Sequence, residues 1–339
     1  MNKMMPNMET NSQGSAAINN SGRKMNRSKL WSQINPYVII IAIGLLSIYT
    51  AFVEPQFATW TNFQNIVKQF GVLSLTAIGM TYVIIAGYID LSIVGMFSFV
   101  AVVTLRMADA FGEIQAILIG LALATFCGLL DALVLVLVGA KNDADAVFIT
   151  FGMSTIFYGL GLFVSGGATQ RLPSESPIFD FIGKAKFLTL PMSFFIFLVI
   201  MLIAHLFLSY SKTGREVRYT GGNRAAARLS GISSAKSTII AYTALGLTVG
   251  IGTILYSART TAAGPVAGQG MEINSILAVV IGGTRLKGGL GSVPRTFIGV
   301  LLVILLENSL NLIGVSTTMR DVFKGAILIL AIWLDYRRQ

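Results

Sequence analysis

Long apolar runs alternate with short polar connections along almost the whole chain, and Gly, Pro, Asn and basic residues collect at the breaks. A bilayer core of about 30 Å asks for roughly 17–25 apolar residues per helix. On that measure the pattern predicts about ten membrane segments, near residues 36–53, 70–87, 91–107, 115–138, 146–165, 191–210, 234–257, 272–284, 295–313 and 320–335. Several of them are short or broken. Between the first two, "PQFATWTNFQNIVKQF" spaces aromatic and polar residues at helical intervals and is expected as an interfacial helix on the outer side. The fold class expected is all-α, a polytopic membrane protein whose short connections leave no room for a separate soluble domain. Function must then come from the bundle or its loops.

Composition agrees with this picture. Of 339 residues, 54% are hydrophobic and only 12% charged, whereas a soluble domain carries about 25% charged residues. The net charge of +10 comes from short basic clusters at the ends of apolar runs, which fits the positive-inside rule better than a nucleic-acid surface. Residues 1–34 are polar, with Lys3, Arg23, Lys24, Arg27 and Lys29 against Glu9, and read as a disordered cytoplasmic tail preceding a membrane domain over 35–339. Six crossings from that tail return the loop 211–236 to the same side. There it presents Lys212, Arg215, Arg218, Arg224, Arg228 and Lys236 against Glu216 alone. Four more crossings place the C-terminus, with Arg337 and Arg338, inside as well. Cys127 and His205 are the only residues of their types, so the count leaves no room for a disulfide or a His/Cys metal site. Cys127 is expected simply to pack, and His205, at a helix end, to reach toward the headgroups.

Within the basic loop, "TGGNRAAARLSGISS" spans residues 220–234. Asn223 suits an N-cap, "RAAARL" is built of helix formers, and Gly231 suits the position after a helix end. Two turns alone are marginal in water, so the helix needs a surface to pack on. Arg224 and Arg228 stand four apart on one side, and Ala225, Ala226 and Leu229 form a small apolar patch. A helix lying on anionic lipid is the alternative, but a single leucine offers it little apolar area. Docking to a protein partner is the favoured reading.

Four elements together resemble one family. "AGYIDLSIVG" at residues 86–95, "GGNRAAARLSGI", "AVVIGGTRLKGGLGS" and "LENSLNLIGVS" are similar to stretches of the membrane subunit of ribose-type bacterial ABC importers. The resemblance implies a permease of the bacterial inner membrane that works with a cytoplasmic ABC ATPase, a periplasmic or lipid-anchored sugar-binding protein and a second permease subunit, surrounded by lipid and with no nucleic acid. It implies a monosaccharide as cargo. It also assigns ATPase coupling to Asn223, Arg224, Ala227, Arg228, Leu229 and Gly231. The chain departs from the family pattern in places: Ile93 is inserted in "IDLSIVG", Asp143 and Asp145 stand in "KNDADAVFITFG", and no acidic residue follows Asn223.

No phosphate-binding G-x-x-x-x-G-K-[ST] run occurs, and the lysine of "GGTRLKGG" is not followed by a hydroxyl residue, so ATP hydrolysis belongs to another chain. No catalytic residue, metal site or cofactor is expected. Acids and amides inside apolar segments face a cavity or a partner. On that ground Asp90, Ser92, Glu307, Asn308 and Asn311 are candidate pathway residues. Asp90 and Ser92 read equally well as the cap of a broken helix, and Asp131 as a tie between helices or a lining residue. In "GGTRLKGGLGS", Gly282, Gly283, Gly288 and Gly289 are candidates for a hinge or gate, or for a tight turn that only packs. The rival function is an ion-coupled secondary transporter using Asp90, Asp131 or Glu307.

Overall fold

The computed structural model of the protein describes residue 41 and residues 43–140 and 143–336. The expected tail over 1–34, Lys141, Asn142, Arg337 and Arg338 lie outside the described residues. The described residues are mostly helical: α1 (Ile43–Val53), α2 (Trp60–Ile85), α3 (Ile93–Phe111), α4 (Glu113–Val138), α5 (Asp143–Ser165), α6 (Pro177–Lys184), α7 (Met192–Tyr210), α8 (Lys212–Gly222), α9 (Arg224–Leu229), α10 (Ser234–Thr260), α11 (Met271–Ile281), α12 (Val293–Leu312) and α13 (Thr317–Tyr336). Seven of these, α2, α3, α4, α5, α7, α10 and α12, are long and apolar enough to cross a membrane, and α1 and α11 are shorter apolar helices.

The bundle is organised around α2. Every residue from Phe70 to Ile85 is buried, which matches a helix apolar on all sides. Its small and hydroxyl residues bring neighbours close, as expected where lipid supplies no hydrophobic drive between helices. Thr81 and Thr296 share a hydrogen bond of 2.7 Å, Ser275 donates to Thr76 at 2.9 Å, and Tyr82 donates to the Ala204 carbonyl at 2.6 Å, tying α2 to α12, α11 and α7. On the other side α10 packs along both α2 and α4, and α3 sits between α4 and α5.

One expectation changes. Residues 60–70 are not a separate interfacial helix but the first turns of α2, which Thr59 caps by accepting from the Asn62 amide at 3.2 Å. One of their polar groups is matched by α12, since Asn62 and Asn308 exchange both amide hydrogen bonds at 3.0 and 2.8 Å.

The two ends of the bundle differ. One end carries α8, α9, the turn 86–92 and the glycine-rich connection 282–292. The opposite end carries α6, the loops between α5 and α7, and the connection from α10 to α11. There Gln170–Arg171 pairs antiparallel with Ala262–Ala263, and Glu113 accepts from the Phe179 amide at 2.7 Å.

Candidate functional site

At the first end two short helices follow in tandem. Ser211 caps α8 by accepting from the Gly214 amide at 2.9 Å. One extended residue later, Asn223 caps α9 by accepting from the Ala226 amide at 3.0 Å. Gly231, at φ 77°, closes the helix while the Ile232 amide reaches back to the Ala227 carbonyl at 2.9 Å. These are the caps that "NRAAARLSG" predicts. Ala227 alone of α9 is buried, and Leu229 is 91% exposed. A protruding leucine beside exposed Arg228, Ala225 and Ala226 is a surface with nothing on it in a single chain.

Arg224 does not belong to that outward face. Its guanidinium lies 4.0 Å from the centre of the Tyr88 ring, and it donates to the carbonyls of Gly87 at 3.0 Å and Ala140 at 3.4 Å. The Tyr88 hydroxyl donates to the same Ala140 carbonyl at 3.3 Å. The first residue of α9 thus clasps the turn between α2 and α3 and the end of α4. Helical spacing placed Arg224 beside Arg228, but the ring and the two free carbonyls turn it inward.

That turn contains the candidate acid. Asp90 is fully buried and accepts from the Ile93 amide at 3.1 Å, so it caps α3. The inserted Ile93 is simply the first, buried residue of that helix. Ser92 Oγ lies 2.7 Å from Asp131 Oδ2 on α4 and 2.9 and 3.1 Å from the two Asp90 oxygens. Asp131 Oδ1 and the Tyr242 hydroxyl are buried without a hydrogen-bond partner. Of the paired readings, the geometry supports a cap for Asp90 and a helix tie for Asp131.

Glycine backbones interlock beside this turn. The Gly289 amide donates to the Ile85 carbonyl at 2.8 Å, and Arg218 of α8 donates to the Gly291 carbonyl at 2.8 Å. Gly288 and Gly289, at φ 85° and 77°, lie against the backbones of Gly87, Gly221 and Gly222. Gly282 and Gly283 instead end α11, with Gly282 packed on Arg295 and Thr296. A groove of about 940 Å3 opens between α8, α9 and this connection, lined in part by Tyr219, Asn223, Arg285 and Lys287. Burial pushes the Arg218 guanidinium below its ordinary value, with Tyr82 opposing that shift.

At the opposite end a second cavity, of about 620 Å3, runs between α2 and α12. Asn308 and Asn311 line it, as their three-residue spacing implies. Glu307 turns away, taking Asn274 and Lys324 at 3.1 Å each. The residues that sequence reasoning missed, Asn62, Asn65, Lys68, Gln69 and Arg259, complete the wall. A polar stripe on α2 at intervals of three and four is the signal for the first four, and Arg259, at the end of α10, has none.

Residues 62–332 match the family described as branched-chain amino acid transport system / permease component. The chain belongs to this family. Among its relatives is the ribose import permease protein RbsC of Escherichia coli (strain K12), 33% identical over 302 residues, which are 88% of this chain and 93% of the relative. The RbsC protein of Bacillus subtilis (strain 168) is 30% identical, covering 91% of the chain and 93% of the relative. The L-arabinose transport system permease protein AraH of Escherichia coli (strain K12) is 30% identical, covering 92% of each. No solved structure matches the chain. As a permease of this family the protein is a multi-pass inner-membrane transport subunit of an ABC importer, and not itself an ATPase. ABC importer permeases work with an ATPase and a binding protein.

Proposed function

We propose that the chain forms, with a second copy or a close permease relative, the pathway for a monosaccharide: a pentose, a hexose or a related molecule. A periplasmic or lipid-anchored binding protein delivers the sugar, and a cytoplasmic ATPase grips α9. In this reading the ten segments that the apolar pattern predicts all cross the bilayer, the N-terminal tail and the C-terminus are cytoplasmic, and loop 211–236 is the coupling loop. Asn308 and Asn311 line the sugar's entry, Asp90 and Ser92 act at the exit as the fixed corner of α3, and Gly288 and Gly289 form the joint on which α8 and α9 bear. The amide wall suits sugar hydroxyls, which both donate and accept.

The observation that carries the reading is the pairing of sugar-permease relatives with an exposed, capped α9 whose Leu229 faces outward. Ion-coupled secondary transport is not favoured, because the relatives are ABC permeases and because Ser92 already engages both buried acids. The test is reconstitution with the ATPase and binding protein. Labelled ribose or arabinose should accumulate only with ATP, and changing Ala226, Arg228 and Leu229 together should release the ATPase. Uphill uptake by this chain alone, with no ATP present, would overturn the reading.

A further inference from the structure

The cavity at the end opposite α9 has a charge that a neutral sugar does not require. Its wall includes the amides of Asn62, Asn65, Gln69 and Asn311 together with Lys68 and Arg259, and no carboxylate lines it. Lys68 and Arg259 are both partly buried. Among the described residues neither takes part in an ion pair or a hydrogen bond, and the contact recorded for the Arg259 guanidinium is the Tyr256 ring, 6.0 Å from its carbon. The acid beside the cavity is occupied elsewhere, since Glu307 Oε1 holds Lys324 and Asn274.

Partly withdrawing two cations from water is costly unless counter-charge arrives. Elsewhere in the protein the half-buried cations have found partners: Arg224 has carbonyls and a ring, Arg218 has carbonyls, and Lys324 has two carboxylates. Arg259 keeps its donors free in a wall of amides. Together with Glu307 it also lines a smaller space of about 70 Å3 beside Met271 and Asn274, but among the described residues no ion pair joins the two. A guanidinium fork matches a carboxylate in two parallel hydrogen bonds.

We propose that this cavity receives an anionic polyhydroxylated solute, a sugar carboxylate, with Arg259 holding the carboxylate, Lys68 adding charge, and Asn65, Gln69 and Asn311 holding hydroxyls. The proposal rests on the sugar-permease reading and narrows its cargo. Neutral pentoses would pass poorly or bind with lower preference, because they leave both cations uncompensated.

The experiment is saturation-transfer NMR on the permease–ATPase complex in nanodiscs of neutral lipid, with ribose, ribonate and glucuronate as probes. The carboxylates should saturate at concentrations on the order of tenfold below ribose. That advantage should vanish in Arg259→Gln, return only in part in Arg259→Lys and fall with added salt. Thermal unfolding of each variant guards against a folding defect. Three outcomes overturn the proposal: equal binding of ribose and ribonate, a carboxylate preference that survives Arg259→Gln, or no carboxylate signal while Arg259→Gln weakens capture of the binding protein, which would assign the cations to an acidic lobe of that partner. In each case ATP-driven uptake of a neutral sugar would remain, whereas loss of all ATP-driven sugar uptake by the wild type would mark failure of the broader reading.

Discussion

The Arg224 guanidinium stands over the Tyr88 ring at 4.0 Å, so the first residue of α9 is a strut into the bundle while the rest of the helix faces out. A push on α9 therefore reaches the turn Gly87–Ser92 through one side chain. Removing it loses a cation–π contact of about 0.5–2 kcal/mol and frees two carbonyls. Arg224→Ala should retain the ATPase but lower the sugar moved per ATP several-fold. Arg224→Lys should recover part of it, since a lysine keeps the charge but not the fork. Uptake and phosphate release measured on the same proteoliposomes check this, and an unchanged ratio would refute it.

Leu229 should behave in the opposite way. It is 91% exposed, so Leu229→Glu removes no packing from the bundle and should leave thermal stability within about 0.5 kcal/mol, the usual range for surface changes. The same change places a charge in the centre of the proposed ATPase contact. Co-purification of the ATPase should fall at least tenfold, by analogy with charges buried unpaired in interfaces. Full retention of the ATPase would move the docking surface elsewhere.

Close glycine approach gives a third test. A Cβ on Gly221 would collide with the Ile85 carbonyl oxygen, and one on Gly288 would stand 2.7 Å from the Gly221 oxygen. Backbone cannot yield as a flexible side chain can, so Gly221→Ala should abolish a monodisperse folded protein in detergent. Gly231 makes the comparison, since it has φ 77° but nothing within 4 Å. Gly231→Ala should cost about 1 kcal/mol, the penalty of the left-handed conformation alone. Equal stability of the two variants in size-exclusion melting curves would mean that the backbone at Gly221 is not closely packed.

Much of the bundle is legible in the sequence because lipid imposes simple terms: each apolar run long enough to span becomes a helix, and α9 is bracketed by Asn223 and Gly231, whose roles follow from local chemistry. What is not legible depends on distant partners. The stripe Asn62, Asn65, Gln69 looks the same whether it meets headgroups or protein, and the residue that decides, Asn308, lies 246 positions away. The direction of Arg224 is likewise set by Gly87 and Ala140, on segments that spacing within α9 says nothing about. Arg259 carries no distinctive signal, because a basic residue at a helix end is ordinary in a membrane protein, and only the folded chain sets it among amides and, among the described residues, outside any ion pair.

The buried trio supplies the last prediction. Ser92 has a single hydroxyl proton, yet its oxygen lies within 2.7 Å of Asp131 and 2.9 Å of Asp90. Two acids competing for one donor in the core are an unfavourable pair, since each like charge raises the cost of the other. Asp131→Asn keeps the volume, removes one charge and adds N–H donors toward the serine, so it should hold or raise thermal stability. Ser92→Ala leaves both acids without that hydroxyl and should cost about 1–3 kcal/mol. If the serine matters because it separates two acids, its removal should cost less once Asp131→Asn is present. A double-mutant cycle on melting temperature measures that coupling. Additive effects would show that Ser92 serves Asp90 and the start of α3 alone, and that the tie to α4 contributes nothing.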